Sequence, residues 1–257
     1  MKKVKMLGLL VVMLLLAGIF PVKTYAAGWI QGDNGLWWYQ HEDESYTTSG
    51  WETIGGKNYY FDEAGWMKTG WLKLENTWYY LSIYGDMQTG WKNIGGAWYY
   101  LNEDGAMLTG WQNIGNNRFY LDGSGAMYTG WLKLGNNWYY MNNSGAMLRG
   151  WQSIGGAWYY LNEDGAMLTG WQKIGNNWFY LNGSGAITTG WQNVGGTWYY
   201  MNNSGAMLTG WQVIGGAWYY LDGSGAMHTG WIRLGETWYY LTASGAMAAN
   251  TWIGSYY

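Results

Sequence analysis

Cysteine is absent from the chain, and the single proline, Pro21, falls within the first 26 of its 257 residues. No disulfide can staple the fold, so packing and backbone hydrogen bonds must hold it together. With no later proline and no change of composition after Gly28, nothing marks a linker or a second domain. Charge is scarce as well, at 11% of residues. Beyond the first 26 residues the Lys and Arg side chains stand singly, which excludes the clustered positive charge that attaches proteins to nucleic acid or anionic membranes. Only 4 Phe and 2 His occur; the apolar mass is carried by 23 Trp and 25 Tyr, spaced among 43 Gly. Aromatic mass spread so evenly suits many small contacts along an array better than one globular core.

Met1 to Ala26 reads as a secretory signal peptide. Lys2, Lys3 and Lys5 precede an uncharged apolar run from Met6 to Phe20, then Pro21 and the small-residue exit Thr24-Tyr25-Ala26. The run is short for a membrane span, so cleavage near Ala27, secretion and no membrane anchor are expected. The segment holds Lys2, Lys3, Lys5 and Lys23 and no acid, so of 13 Lys and Arg nine remain against 16 Asp and Glu, a net charge near −7. That balance leaves neutral or cationic partners.

From Trp51 onward one unit is rewritten to the end of the chain. Trp51, Trp71, Trp91, Trp111, Trp131, Trp151, Trp171, Trp191, Trp211 and Trp231 follow one another at twenty residues without a slip. Such a period indicates a stacked array whose unit is too small to bury its own apolar face. The expected division is a degenerate capping repeat over 27–50, ten tandem repeats over 51–250, and a truncated cap over 251–257.

Turn chemistry gives the structure of one unit. Trp91 to Ile94 is a short strand, Gly95-Gly96 a two-residue turn that accepts positive φ, and Ala97 to Leu101 the returning strand. Gly115-Asn116, Gly135-Asn136 and Gly175-Asn176 offer the same turn chemistry. Asn102 to Gly105 turns the chain toward the next hairpin. This pairing sets Trp91 opposite Tyr100 and Asn93 opposite Trp98, so alternation puts Trp91, Trp98 and Tyr100 on one face and Ile94, Tyr99 and Leu101 on the other. Comparison among the repeats makes the second face the interior. The Ile94 position is always Ile, Val or Leu, and Phe119 and Phe179 replace the first tyrosine.

Catalysis finds no footing. His41 and His228 are solitary, and no Ser-His-Asp, metal-spaced or phosphate-cradling arrangement occurs. Glu103-Asp104 and Glu163-Asp164 read as turn residues, because Asn-Ser or Gly-Ser stands there in other units. Asp122 and Asp222 read as turns rather than calcium ligands, since Asn142 and Asn182 take the same place. No cofactor or metal is expected.

The face carrying two Trp and a Tyr per unit admits two readings on the residues alone. The rings either only pack between neighbouring hairpins, or they form cages in which Trp faces enclose a cation or stack on a sugar.

The pattern GW-x-x-I-G-x-x-WYY-L-x-x-x-GAM-x-TGW, running from Trp51 to Met247, resembles the choline-binding, or cell-wall-binding, repeats of Gram-positive surface proteins and their phages. The resemblance implies an all-β, left-handed β-solenoid of stacked β-hairpins, with choline of teichoic acids bound between adjacent hairpins. Two Trp of one hairpin, a Tyr of the next and often a Met would enclose it. The paired tryptophans carried over are Trp71 with Trp78, Trp91 with Trp98, Trp131 with Trp138, Trp151 with Trp158, Trp171 with Trp178, Trp191 with Trp198, Trp211 with Trp218, and Trp231 with Trp238. The face assignment favours the second tyrosine of the following hairpin as third wall: Tyr100, Tyr120, Tyr160, Tyr180, Tyr200, Tyr220 and Tyr240. Met107, Met147, Met167, Met207 and Met227 are placed to close cages, while Ile187 replaces Met in one unit.

Arg118 and Asn58 depart from the pattern at the second Trp, so the Trp111 and Trp51 units are expected to be empty or altered. The whole reads as a secreted, non-catalytic protein that attaches through many weak sites to choline-bearing teichoic acid or another cell-wall polysaccharide. A glucan-type carbohydrate binder and a structural or adhesive surface protein are the alternatives, and a homodimer through an end of the array stays open.

Overall fold

The computed structural model describes residues 26–249 and 253–254. The expected signal peptide, apart from Ala26, and all of the expected terminal cap except Ile253 and Gly254 lie outside the described residues. Within them, all regular structure is 22 strands paired as eleven two-stranded antiparallel hairpins. No helix among the described residues is long and apolar enough to cross a membrane. The chain divides into two compact units, Met1–Tyr128 with five hairpins and Thr129–Tyr257 with six.

The hairpins keep the register that a two-residue turn dictates. Gly90–Ile94 pairs with Ala97–Leu101 so that Trp91 faces Tyr100, Asn93 faces Trp98 and Ile94 faces Ala97. Gly95 and Gly96 both have positive φ, 62° and 88°, the pattern of a type I′ turn whose twist matches the strands. In the Gly-Asn turns only the glycine is left-handed, as Gly115 at 59°, which is the II′ pattern. These variants therefore use a second turn type with the same loop length and the same pairing.

The interior face is the expected one. Phe61, Leu81, Leu101 and Leu121 in the first unit, and Met141, Leu161, Leu181, Met201, Leu221 and Leu241 in the second, are fully buried. Tyr59, Phe119 and Phe179, at the first-tyrosine position on that face, are 8% exposed. Each such side chain contributes roughly 1.5–3 kcal/mol of apolar burial, which a lone hairpin cannot supply.

Between hairpins the chain closes an Asx turn and folds back. The Ala106 amide donates to Asn102 Oδ1 at 2.8 Å, and the Gly105 amide to the Asn102 carbonyl at 2.9 Å. Met107 then bridges Leu101 of its own hairpin while its amide donates to the Trp78 carbonyl of the preceding one, at 2.8 Å. That bond recurs within each unit, at Met67, Met87 and Met127 in the first and from Met167 to Met247 in the second, so these connecting loops also tie their hairpins to their predecessors. The next loop rests on the same methionine. Gly125 has φ 85°, and a Cβ there would overlap the Met107 side chain. Gly125→Ala is therefore expected to cost about 1–3 kcal/mol in urea or thermal unfolding. Gly123→Ala, where a Cβ meets nothing within 4 Å, should change stability by under about 0.5 kcal/mol.

Asp122 and Asp222 act as turn residues, as Asn102 does. The Asp122 carboxylate accepts from the Ser124 hydroxyl at 2.6 Å, the Ser124 amide at 2.8 Å and the Ala126 amide at 3.1 Å. The Ser124 hydroxyl first, against the opposing effect of burial and with help from the loop amides, holds Asp122 below the ordinary carboxylate value; Asp222 is lowered in the same way by Ser224. A folded-state pKa below the unfolded one means stability is present above about pH 4 and lost as pH falls through the lowered value. Asp122→Asn with Asp222→Asn should thus flatten the fall of melting temperature as pH drops below about 4.

Candidate functional site

Cross-strand pairing sets the two tryptophans of a hairpin on one face, and they meet at right angles. In the Trp71–Trp78, Trp91–Trp98, Trp131–Trp138, Trp171–Trp178, Trp191–Trp198, Trp211–Trp218 and Trp231–Trp238 pairs the ring centroids lie 6.1–6.5 Å apart, with planes at 80–88°. The first ring packs against the second tyrosine of its own hairpin, and all but Trp231, which is 42% exposed, are partly covered. The second is open to solvent, from 37% exposed at Trp78 and Trp138 to 50% at Trp158 and 58% at Trp238. Exposed indole faces held perpendicular to one another form a corner rather than a packed layer.

The third ring is not the one expected. Tyr100, Tyr120, Tyr160, Tyr180, Tyr200, Tyr220 and Tyr240 each lie 5.1–5.3 Å from the first Trp of their own hairpin, as its cross-strand partner. The ring that reaches a Trp from the following hairpin is the first aromatic of its WYY or equivalent. Tyr99 meets Trp71, Phe119 meets Trp91, Tyr159 meets Trp131 and Phe179 meets Trp151, all at 4.9 Å. Tyr199 on Trp171, Tyr219 on Trp191 and Tyr239 on Trp211 follow at 4.7–4.9 Å. The expectation assumed that neighbouring hairpins meet through like faces. Instead the Trp face of one hairpin packs on the opposite, interior face of the next, so a residue of odd pairing parity becomes the wall. Phenylalanine suffices at two of these positions, as expected of a ring that supplies only a surface.

The methionine segments complete the corner. Met107, Met167, Met207 and Met227 bond through their amides to the carbonyls of Trp78, Trp138, Trp178 and Trp198 at 2.8 Å, and Ile187 does so at Trp158. Met127 and Met247, not singled out from the sequence, hold the same place at Trp98 and Trp218; their position in Gly-Ala-Met was the signal. Met147, 7% exposed, packs under Gly165. Around Trp71, Trp78, Tyr99, Met107 and Ser124 these parts leave an open cleft of about 280 Å³. Trp231 and Trp238 meet no following hairpin among the described residues.

Charge varies from cleft to cleft. The Arg118 guanidinium lies 4.4 Å from the centroid of Trp111, so a side-chain cation occupies that ring face. Asn58 keeps the backbone bond to the Met87 amide at 2.8 Å but turns its side-chain oxygen to the Thr53 hydroxyl at 2.7 Å, so that corner lacks its second wall. Lys73 and Lys133, cross-strand from Trp78 and Trp138, hold their ammonium groups 5.7 and 5.6 Å from those rings. A cation this close repels a cationic ligand by about 0.7 kcal/mol in water. Lys73→Gln and Lys133→Gln should therefore tighten quaternary-ammonium binding at their own clefts about threefold, read by NMR titration, with the gain shrinking as salt rises.

The remaining candidates have little chemistry. A larger open hollow, about 510 Å³, is lined by His41, Glu42, Asp43 and Glu52. Its one histidine lies 3.5 Å from Glu52, and it offers no exposed indole face. Among the described residues no group of three or more His, Cys, Asp or Glu is placed to hold a metal.

A choline-binding repeat family matches residues 48–87, 108–150, 148–188, 188–229 and 208–252, and a putative cell wall binding repeat matches 89–107. Among solved structures, CbpJ from Streptococcus pneumoniae TIGR4 is 36% identical over 89% of this chain and 96% of its own, with a TM-score of 0.69. Choline binding protein F from Streptococcus pneumoniae, also solved in the presence of a peptidoglycan analogue, is 32% identical over 91% of this chain and 96% of its own, with a TM-score of 0.63. The modular autolysin LytC of the same species is 28% identical over 88% of this chain but 53% of its own length, with a TM-score of 0.57. No curated protein sequence matches the chain. The repeats, the succession of two-stranded hairpins and these likenesses agree: the chain belongs to the family of choline-binding repeat proteins.

Proposed function

We propose that this chain is a secreted, non-catalytic wall-binding protein whose aromatic corners each hold the trimethylammonium group of a choline carried on teichoic acid. The observation that carries this reading is the recurring corner of two perpendicular tryptophans with a ring of the following repeat against the first, which at Trp71 and Trp78 is closed by Tyr99 and Met107 with no acidic group in its lining. A tetrahedral cation with apolar methyl groups fits such walls, where cation–π attraction replaces a salt bridge. Three rings at about 0.5–2 kcal/mol each give only roughly millimolar affinity per site. A polymer that presents the ligand repeatedly then engages several corners at once, and attachment strength comes from their number.

Titration of tryptophan fluorescence with choline tests the reading, with Trp98→Ala alongside. A saturable change near millimolar choline, reduced in amplitude in the variant, is expected. No change at tens of millimolar choline, together with saturation by a glucan, would transfer the corners to sugar stacking.

A further inference from the structure

The hairpin Gly28–Gln31 with Trp37–Gln40 precedes every residue matched by the family. Its sequence is out of step with the repeats because its turn, 32–36, is longer than two residues. Once the longer turn is allowed for, its residues take the same pairing positions. Trp29 is the cross-strand partner of Tyr39, at 5.2 Å, as Trp91 is of Tyr100. Tyr59 of the following hairpin meets Trp29 at 4.8 Å, as Tyr99 meets Trp71. The Met67 amide donates to the Trp37 carbonyl at 2.7 Å, and Trp37 is 40% exposed. The residue across the strands from Trp37 is the neutral Gln31, where Lys73 stands across from Trp78.

The lip of this corner differs from the others. Gly85 stands against Met67 as Gly125 stands against Met107, and in the latter case the preceding residue, Ser124, lines the cleft. The residue preceding Gly85 is Tyr84, 75% exposed. Its loop is braced by side chains at both of its ends. The Ser82 hydroxyl bonds the Asp86 carboxylate and accepts from the Tyr84 amide at 3.0 Å, Gln88 donates to Asp86 at 2.9 Å, and Lys57 lies 3.8 Å from it. Where Asp86 stands, the corresponding residues Ala106 and Ala126 have no side chain to brace with. A ring on a fixed loop loses little entropy when it stacks.

We infer that Trp29, Trp37, Tyr59 and Met67 form an additional quaternary-ammonium site, and that Tyr84 makes it the one corner that prefers an ammonium carrying an aromatic or other flat substituent. The four inner groups take the ammonium head; Tyr84 stacks on what the nitrogen bears. The inference rests on the reading that the corners take quaternary ammonium ions.

The test is 19F NMR of the full chain labelled with 5-fluorotryptophan, titrated separately with choline and with benzyltrimethylammonium. The Trp37 and Trp98 resonances are assigned by their loss in Trp37→Phe and Trp98→Phe. Both resonances should shift with choline. At Trp37 benzyltrimethylammonium should bind about three- to tenfold more tightly than choline, an excess absent at Trp98. Tyr84→Ser, a change on an exposed side chain, should bring benzyltrimethylammonium at Trp37 down to the ratio to choline seen at Trp98. A Trp37 resonance that stays still while Trp98 titrates overturns the site and leaves the general reading intact. Equal ligand ratios at the two positions, unmoved by Tyr84→Ser, overturn the role of Tyr84. If neither resonance responds to either ion, the general reading falls, and the additional site with it.

Discussion

Choline at about 20 mM should raise the melting temperature of the protein by more than ten degrees relative to an equal concentration of sodium chloride. With a site constant of roughly 1 mM, each occupied corner adds RT ln(1 + [L]/Kd), about 1.8 kcal/mol. For a domain of this size about 1 kcal/mol moves the transition by roughly 2–4 °C, so a few corners suffice. The structure explains why the effect is large for so weak a ligand. Trp71 and Trp78 belong to one hairpin, Tyr99 and Met107 to the next repeat. A cation bound there would bridge repeats that otherwise hold each other by the recurring Met-to-Trp amide bond, a few backbone bridges such as Tyr159 with Ala186, and a strip of side chains, and in a stacked array the junctions set the stability. A melting temperature that choline leaves where sodium chloride leaves it would remove the corners from consideration as ammonium sites.

Replacing Trp78, Trp138, Trp178 and Trp218 by alanine together should weaken attachment to choline-bearing cell walls by about 10²–10⁴, whereas Trp98→Ala alone should cost less than about tenfold. Multivalent attachment multiplies weak site constants through effective concentration, so losses compound as corners are removed. These four side chains are 37–47% exposed, so truncation spares the buried leucine and methionine column; circular dichroism should confirm the hairpins. Depletion of protein from suspension by wall fragments measures the result. A quadruple variant no weaker than the single one would show that one corner dominates.

The repeat period, the two-residue turns and the antiparallel register of Trp91 with Tyr100 were all legible in the chain, because each is a local rule. Positive φ selects Gly95-Gly96, a two-residue turn dictates the pairing, and alternation then assigns every side chain to a face. The buried column through Leu101 and Leu121 followed from substitutions among the repeats, and the structure places it there. The perpendicular tryptophan corner was legible as a pair of residues, since both rings belong to one hairpin. What the sequence could not determine is how successive hairpins are turned toward each other. That rotation decides that Tyr99 rather than Tyr100 meets the preceding Trp71, that Met107 lies under Gly125, and that Tyr59 meets Trp29 despite the longer turn of its hairpin. It is set by the sum of buried side chains and the recurring Met-to-Trp backbone bond across neighbouring repeats. No single segment encodes that sum, so only the packed array reveals it.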